Sequence, residues 1–111
     1  MDSLSSDEIK KKAKGYALRL FKLRPRSEFE LGAKMRGKGY DEAVVALVTA
    51  EFKAQGYLDD VLFARLWLES RLKKYGLRRV ARELAQNGIA KDTIAALGHE
   101  AGSGHDETAV A

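Results

Sequence analysis

Six basic side chains, Arg71, Lys73, Lys74, Arg78, Arg79 and Arg82, fall between Glu69 and Glu83 around Gly76. Residues of this type at this density hold anions, either phosphate or carboxylate, through charge-assisted hydrogen bonds. The cluster has two readings: a binding face, or a solvated helix surface that keeps the chain soluble. Arg24, Arg26, Arg36 and Lys38 form a second basic group. Arg24 and Arg26 follow a predicted helix, so they either offset the negative end of its dipole or meet a partner. Lys10, Lys11, Lys12 and Lys14 read as a solvated first turn, with nonspecific attraction to nucleic acid as the alternative.

Groups that make or break bonds are scarce. Asp59 and Asp60 are paired carboxylates, yet no histidine or nucleophile stands at fixed spacing from them. Capping a helix and facing its positive end explains them. His99 and His105 are six apart in a polar tail and read as solvated. With no cysteine there is no disulfide and no thiolate ligand. No glycine-rich phosphate loop, nucleophile elbow or zinc motif occurs. The expectation is a protein that binds, without enzymatic activity, metal or cofactor.

Composition agrees. The chain has 111 residues, 45% apolar and 32% charged, with a net charge of +4. No apolar run approaches the roughly 18 residues of a membrane span. Absence of cysteine fits a reducing cytoplasm, which is the expected location. The charge is unevenly placed. Residues 10–38 hold eleven Lys/Arg against Glu28 and Glu30, and residues 65–82 hold seven against Glu69. Between them, residues 39–64 hold Lys53 against five carboxylates.

The elements that must carry these groups are helices. A first helix is predicted over about Asp7 to Leu23, capped by Ser6 or Asp7, with Ile9, Ala13, Tyr16, Ala17, Leu20 and Phe21 inward. Arg24-Pro25 ends it. Ser27 and Glu30 make a capping box for a second helix bearing Leu31 and Met35, weakened by Gly32 and Gly37. Asp41 caps a third, with Val44, Leu47, Val48 and Phe52 inward, closed by Gln55-Gly56. Asp59 caps a fourth, presenting Phe63, Leu66, Trp67 and Leu72. After Gly76 comes a fifth with Val80, Ala81 and Leu84, stopped by Asn87-Gly88, and Ile94 and Leu97 mark a sixth. Tyr40 and Tyr57 each follow a terminating glycine and are expected to pack back on the preceding helix. Gly98 to Gly104 reads as a polar connector.

The pattern nearly repeats. Tyr16-Ala17 recurs as Phe63-Ala64 after 47 residues, and Gly39-Tyr40 as Gly88-Ile89 after 49. Asp59-Asp60 recurs as Asp106-Glu107, again after 47. Such a period points to tandem helical modules. The predicted fold is all-α: tandem three-helix repeats forming an elongated, curved array. The predicted limits are 1–56 for the first repeat, 57–101 for the second, and 102–111 for a connector and the stub of a third. The chain is then either shortened or naturally short, and the stub is expected to fray.

Particular segments carry a resemblance. Arg24-Pro25-Arg26-Ser27-Glu28-Phe29-Glu30-Leu31 and Lys38-Gly39-Tyr40 resemble the first-repeat signature of the RecX family, regulators of RecA recombinase. Gly56-Tyr57-Leu58-Asp59-Asp60 with Phe63-Ala64, Arg71 and Leu72 is similar to that family's most recognisable stretch. Arg78-Arg79-Val80-Ala81-Arg82-Glu83-Leu84 and Asn87-Gly88-Ile89 continue the likeness, which covers roughly residues 14 to 97. Gly32 and Ala33 stand where the family often has polar or basic residues, and Asn87 where lysine is common.

The resemblance implies a negative regulator that binds the RecA filament on single-stranded DNA, and the chain itself is expected to be a monomer. It would inhibit recombinase, ATPase and co-protease activities, and so act in DNA repair, homologous recombination and the SOS response. The expected partner surface is Arg24, Arg26, Arg36, Lys38, Arg71, Lys73, Lys74, Arg78, Arg79 and Arg82, with weak direct DNA binding. The alternative is a basic nucleic-acid-binding module, since residues 59–87 could pass for a helix-turn-helix with Arg78, Arg79 and Arg82 on its second helix. Trp67→Ala is expected to cost about 3–5 kcal/mol, measured by urea unfolding. A change within about 1 kcal/mol would show that Trp67 carries no core packing.

Overall fold

The computed structural model describes the backbone of residues 5–110 and the side chains of residues 5–101. The chain divides between Asp59 and Asp60 into two units of three helices each. The first holds α1 (Ser6–Leu23), α2 (Glu28–Gly37) and α3 (Glu42–Ala54); the second holds α4 (Asp60–Arg71), α5 (Leu77–Gln86) and α6 (Lys91–Val110). Among the described residues no strand occurs, so the all-α expectation holds.

Local chemistry sets the boundaries of the first unit. Ser5, Ser27 and Asp41 accept the backbone N–H of Glu8, Glu30 and Val44 at 3.2, 3.1 and 3.0 Å, each satisfying an orphan donor of a first turn. The cap of α1 is therefore Ser5, one residue before the predicted Ser6 or Asp7. Arg24, extended at φ −172°, closes α1 ahead of Pro25.

Three helices end on left-handed glycines: Gly39, Gly56 and Gly88, with φ of 95°, 85° and 76°. At each, the next residue's N–H reaches back five positions. Tyr40 donates to Met35 O at 3.2 Å, Tyr57 to Phe52 O at 2.9 Å, and Ile89 to Leu84 O at 3.1 Å. This is the Schellman closure, and its hydrophobic partner completes it. Tyr57 packs back on Phe52 with ring centroids 5.2 Å apart, as expected. The ring partner of Tyr40 is instead Tyr16 of α1, at 6.4 Å.

Each unit has its own core. In the first, Ala13, Ala17 and Leu20 of α1 meet Leu31 and Met35 of α2 and Val45, Val48 and Phe52 of α3, closed by Leu58. The two buried alanines have small side chains, which lets α3 lie close to α1. In the second, Phe63, Ala64 and Leu68 of α4 meet Val80 and Leu84 of α5 and Leu97 of α6, closed by Ile89. The equivalence of Ala17 and Ala64, both fully buried, and of Met35 and Leu84, is the repeat made physical.

Three expectations need correction. Leu66 is 42% exposed, and Leu68 takes the inward place. At about 100° per residue, Leu66 lies on the far side of α4 from both Ala64 and Leu68. Val45 is buried, whereas Val44 and Leu47 are only half-buried. Finally, α6 runs unbroken to Val110, so the segment read as a polar connector is helical. Glycine lowers helix stability by about 1 kcal/mol without forbidding it, and no proline interrupts residues 91–110. The side chains of the predicted stub lie outside the described residues.

The glycines give a test with opposite signs. Gly39→Ala forces a side chain into the left-handed region and should destabilise by about 1–2 kcal/mol. Gly37 has open space around its missing side chain and ends α2 in helical conformation. Gly37→Ala should raise stability by up to about 1 kcal/mol. Urea unfolding of both variants checks this; equal shifts would contradict the assigned closure.

Candidate functional site

Most of the first basic group is spent inside the first unit. Arg26 is buried at 7% exposure, donating from Nε to Leu20 O at 3.3 Å and from Nη1 to Glu30 Oε2 at 3.0 Å. It joins the last turn of α1 to the first turn of α2, and leaves almost nothing at the surface. Arg24 forks onto the same Glu30 carboxylate, with Nη1 3.2 Å from Oε1 and Nη2 on Oε2. Arg36 donates to Glu42 at 2.6 Å, and that hydrogen bond holds the Glu42 carboxyl below its ordinary range. Lys38 lies over the Tyr16 ring, 5.3 Å from its centroid. The sequence-predicted set Arg24, Arg26, Arg36 and Lys38 is thus not one free patch. Three of the four close ion pairs within their own repeat.

The second basic group splits. Glu83 of α5 gathers one part of it. Arg71, at the end of α4, donates through Nε to Oε1 and through Nη2 to Oε2, the latter at 2.8 Å. Trp67 Nε1 donates to Oε1 at 3.0 Å, and Arg79 Nε stands 3.6 Å from Oε2. Stacking locks the group further. The Arg71 guanidinium sits over Trp67 and Tyr75 at 5.3 and 4.7 Å, and Arg79 covers Tyr75 at 3.9 Å. The hydrogen bond from Arg71, aided by the Trp67 N–H and the charges of Arg71 and Arg79, outweighs desolvation. It pulls the Glu83 carboxyl down to about 2.

The other part stays open. Lys73, Lys74, Arg78 and Arg82 are exposed, and among the described residues no carboxylate lies within ion-pair distance of them. They surround Gly76, the N-cap of α5, where no side chain caps the helix and no acid stands in the first turn. This surface can hold anions. The role of Glu83 and the stacking of Tyr75 escaped the sequence reading. The signal was present, since Glu83 is the first acid after a run of residues that includes six basic ones.

Among the described residues no three His, Asp or Glu side chains come together as a metal would require. Among the same residues no helix is long and apolar enough to cross a membrane. His99 is exposed, and the side chain of His105 lies outside the described residues.

The comparisons with known proteins point one way. Residues 13–51 match the family model for the first three-helix domain of RecX, and residues 59–97 that for its second. A regulatory protein RecX of Mycobacterium sp. (strain JLS) is 37% identical over 95 residues, covering 84% of this chain and 52% of that protein. One from Thermobifida fusca (strain YX) is 32% identical over 96 residues, covering 85% and 52%. The chain spans about half the length of these curated relatives. A crystal structure of regulatory protein RecX superposes with a TM-score of 0.76 at 18% identity, over 88% of this chain and 54% of that one. At that identity the structural likeness speaks for the fold.

Glu83 lies inside the second matched span and makes the second repeat acid-sensitive. Its carboxyl is near 2 when folded against an ordinary 4.5. The stabilisation it provides is complete above about 4.5 and is lost as pH falls toward 2. Trp67, the single tryptophan, reports the unfolding. Urea midpoints followed by its fluorescence should drop across that window in the parent chain. In Glu83→Gln they should be lower at neutral pH and fall less steeply with acid. Parallel pH curves for the two proteins would contradict the clasp.

Proposed function

This chain belongs to the RecX family, and from that premise we propose that it is a negative regulator of a RecA-like recombinase. It binds the recombinase filament on single-stranded DNA and restrains strand exchange, ATP hydrolysis and co-protease activity, as a cytoplasmic partner of homologous recombination and the SOS response. It acts by binding rather than by making or breaking bonds. The observation that carries this reading is the pair of three-helix repeats, matched in order to the first and second RecX domains. Internally clasped helices of this kind present fixed surfaces, which lowers the entropy lost on docking. The exposed cations around Gly76 supply charge that steers encounter with an anionic filament and makes affinity salt-dependent.

One specific observation favours a second reading. The cations of the α4–α5 turn and of α5 sit on two short helices in the manner of a helix-turn-helix, so a nucleic-acid-binding module is the alternative.

ATP hydrolysis by RecA on single-stranded DNA, with this chain titrated in, separates the two. Half-inhibition is expected well below the concentration that binds the bare strand. The combined Arg78→Glu, Arg82→Glu variant, which leaves the Arg79–Glu83 contact in place, should need at least about tenfold more protein, as expected when close charge pairs are lost from an interface. Hydrolysis unchanged at concentrations that saturate bare DNA would replace the regulator with the module.

A further inference from the structure

Helix α4 is apolar on both sides. Phe63, Ala64 and Leu68 enter the core of the second repeat, while Val61, Leu62 and Leu66 stay 46, 50 and 42% exposed. At about 100° per residue, Leu62 and Leu66 lie about 40° apart on one stripe, turned away from that core. A helix that carries apolar residues all round belongs under cover on both faces. Leu23 is exposed too, but it stands singly at the end of α1, and single surface leucines are ordinary. Arg65 and Glu69 share the stripe with Leu62 and Leu66, and both are exposed.

We propose that this stripe is an interface with a second copy of the chain, packed antiparallel across a two-fold axis at Leu66. The layout of charge selects that occupant. A two-fold interface is self-complementary, so what lies before the axis must suit what lies after it. Asp59 stands seven residues before Leu66 and Lys73 seven after, and both are exposed. The axis therefore sets each Asp59 against Lys73 of the other copy. The midpoint of Arg65 and Glu69 lies one residue, about 1.5 Å, from the same axis, so these two also pair across it. Leu66 then meets its own copy, with Leu62 beside it. Antiparallel packing further sets the positive end of each helix against the negative end of the other.

A partner of one charge sign fits the stripe less well. An anionic surface would meet Asp59 and Glu69, and a cationic one Arg65 and Lys73. Arg65 stands 3.6 Å from Glu100, with both side chains at least half exposed, so that contact is open to exchange. The groove between α2 and α3, lined by Phe29, Gly32, Val45 and Ala50, is the nearest rival. Its rim is spent on internal pairs, Glu28 with Lys53 and Arg36 with Glu42, and offers no such layout. The α4 contact is narrow and belongs with the weak interfaces that bury less than about 1,200 Å². Association is expected between about 1 µM and 1 mM, where the monomer expected from the sequence gives way.

Self-association does not require that the chain regulate a recombinase, so the two readings fail separately. The test is sedimentation equilibrium of the full chain from about 1 µM to about 1 mM. The mass should rise from one chain toward two and stop there. Leu66→Glu should stay at one chain throughout while keeping the parent's urea midpoint, because Leu66 lies outside the core. Arg65→Glu and Glu69→Arg should each weaken pairing at least about threefold, and the double variant should restore it. The chain has no cysteine, so Leu66→Cys reports the axis directly. Helices packed about 8–10 Å apart leave facing residues within reach of a disulfide. Leu66→Cys should oxidise to a linked dimer at least about tenfold faster than Leu23→Cys. A single mass for the parent up to about 1 mM, or a mass that grows past two chains, would overturn the two-fold. Equal cross-linking of the two cysteine variants would overturn its position. A monomeric parent whose inhibition of RecA is lost in Leu66→Glu would give the stripe to that partner instead.

Discussion

Each repeat is held at its first corner by an arginine that leaves one helix and closes on a glutamate of the next. In the first repeat Arg24 and Arg26 converge on Glu30; in the second Arg71 closes on Glu83. Arg24 and Arg71 are 47 residues apart, one repeat length, so the same clasp has been built twice. Packing alone fixes how closely two short helices approach, but apolar contact is non-directional. A forked guanidinium on a carboxylate is directional, and it ties the end of the first helix to the second at a fixed point.

The two clasps are made differently. Arg26 in the first is buried and donates to the Leu20 carbonyl that also accepts the Arg24 N–H, so it reinforces the end of α1 besides making an ion pair. Glu83 in the second is reached from three side chains, one of them the Trp67 indole, and two arginines stack on a tyrosine beside it. The first clasp sits on a proline-containing turn, the second on a turn built around Gly76. The polar corner of the second repeat is therefore wider and more aromatic, and the cations it does not consume are left outward.

Much of this architecture is legible in the amino-acid order. Helix type, the caps Ser27 and Asp41, and the stops at Gly39, Gly56 and Gly88 follow from local chemistry, because caps and left-handed glycines act within a few residues. The family is legible because its signature residues are the clasp and turn residues themselves, Arg24, Ser27 and Glu30 among them. Facing within α4 is less legible. Leu66, Trp67 and Leu68 are consecutive apolar residues, and which of them points inward depends on α5 and α6. The candidate site is half legible. Positive charge is visible in a sequence, but whether an arginine is neutralised depends on a carboxylate four, six or twelve positions away, as with Glu30 and Glu83. That is why Arg26 and Lys73 look alike in the chain and differ in the fold.

The clasps also conceal positive charge. Glu30 and Glu83 each stand against two arginines, so these four guanidiniums meet a carboxylate before they meet a partner. Loss of either carboxylate would do more than loosen a corner: it would unveil a pair of guanidiniums and leave the protein more adhesive toward any anion.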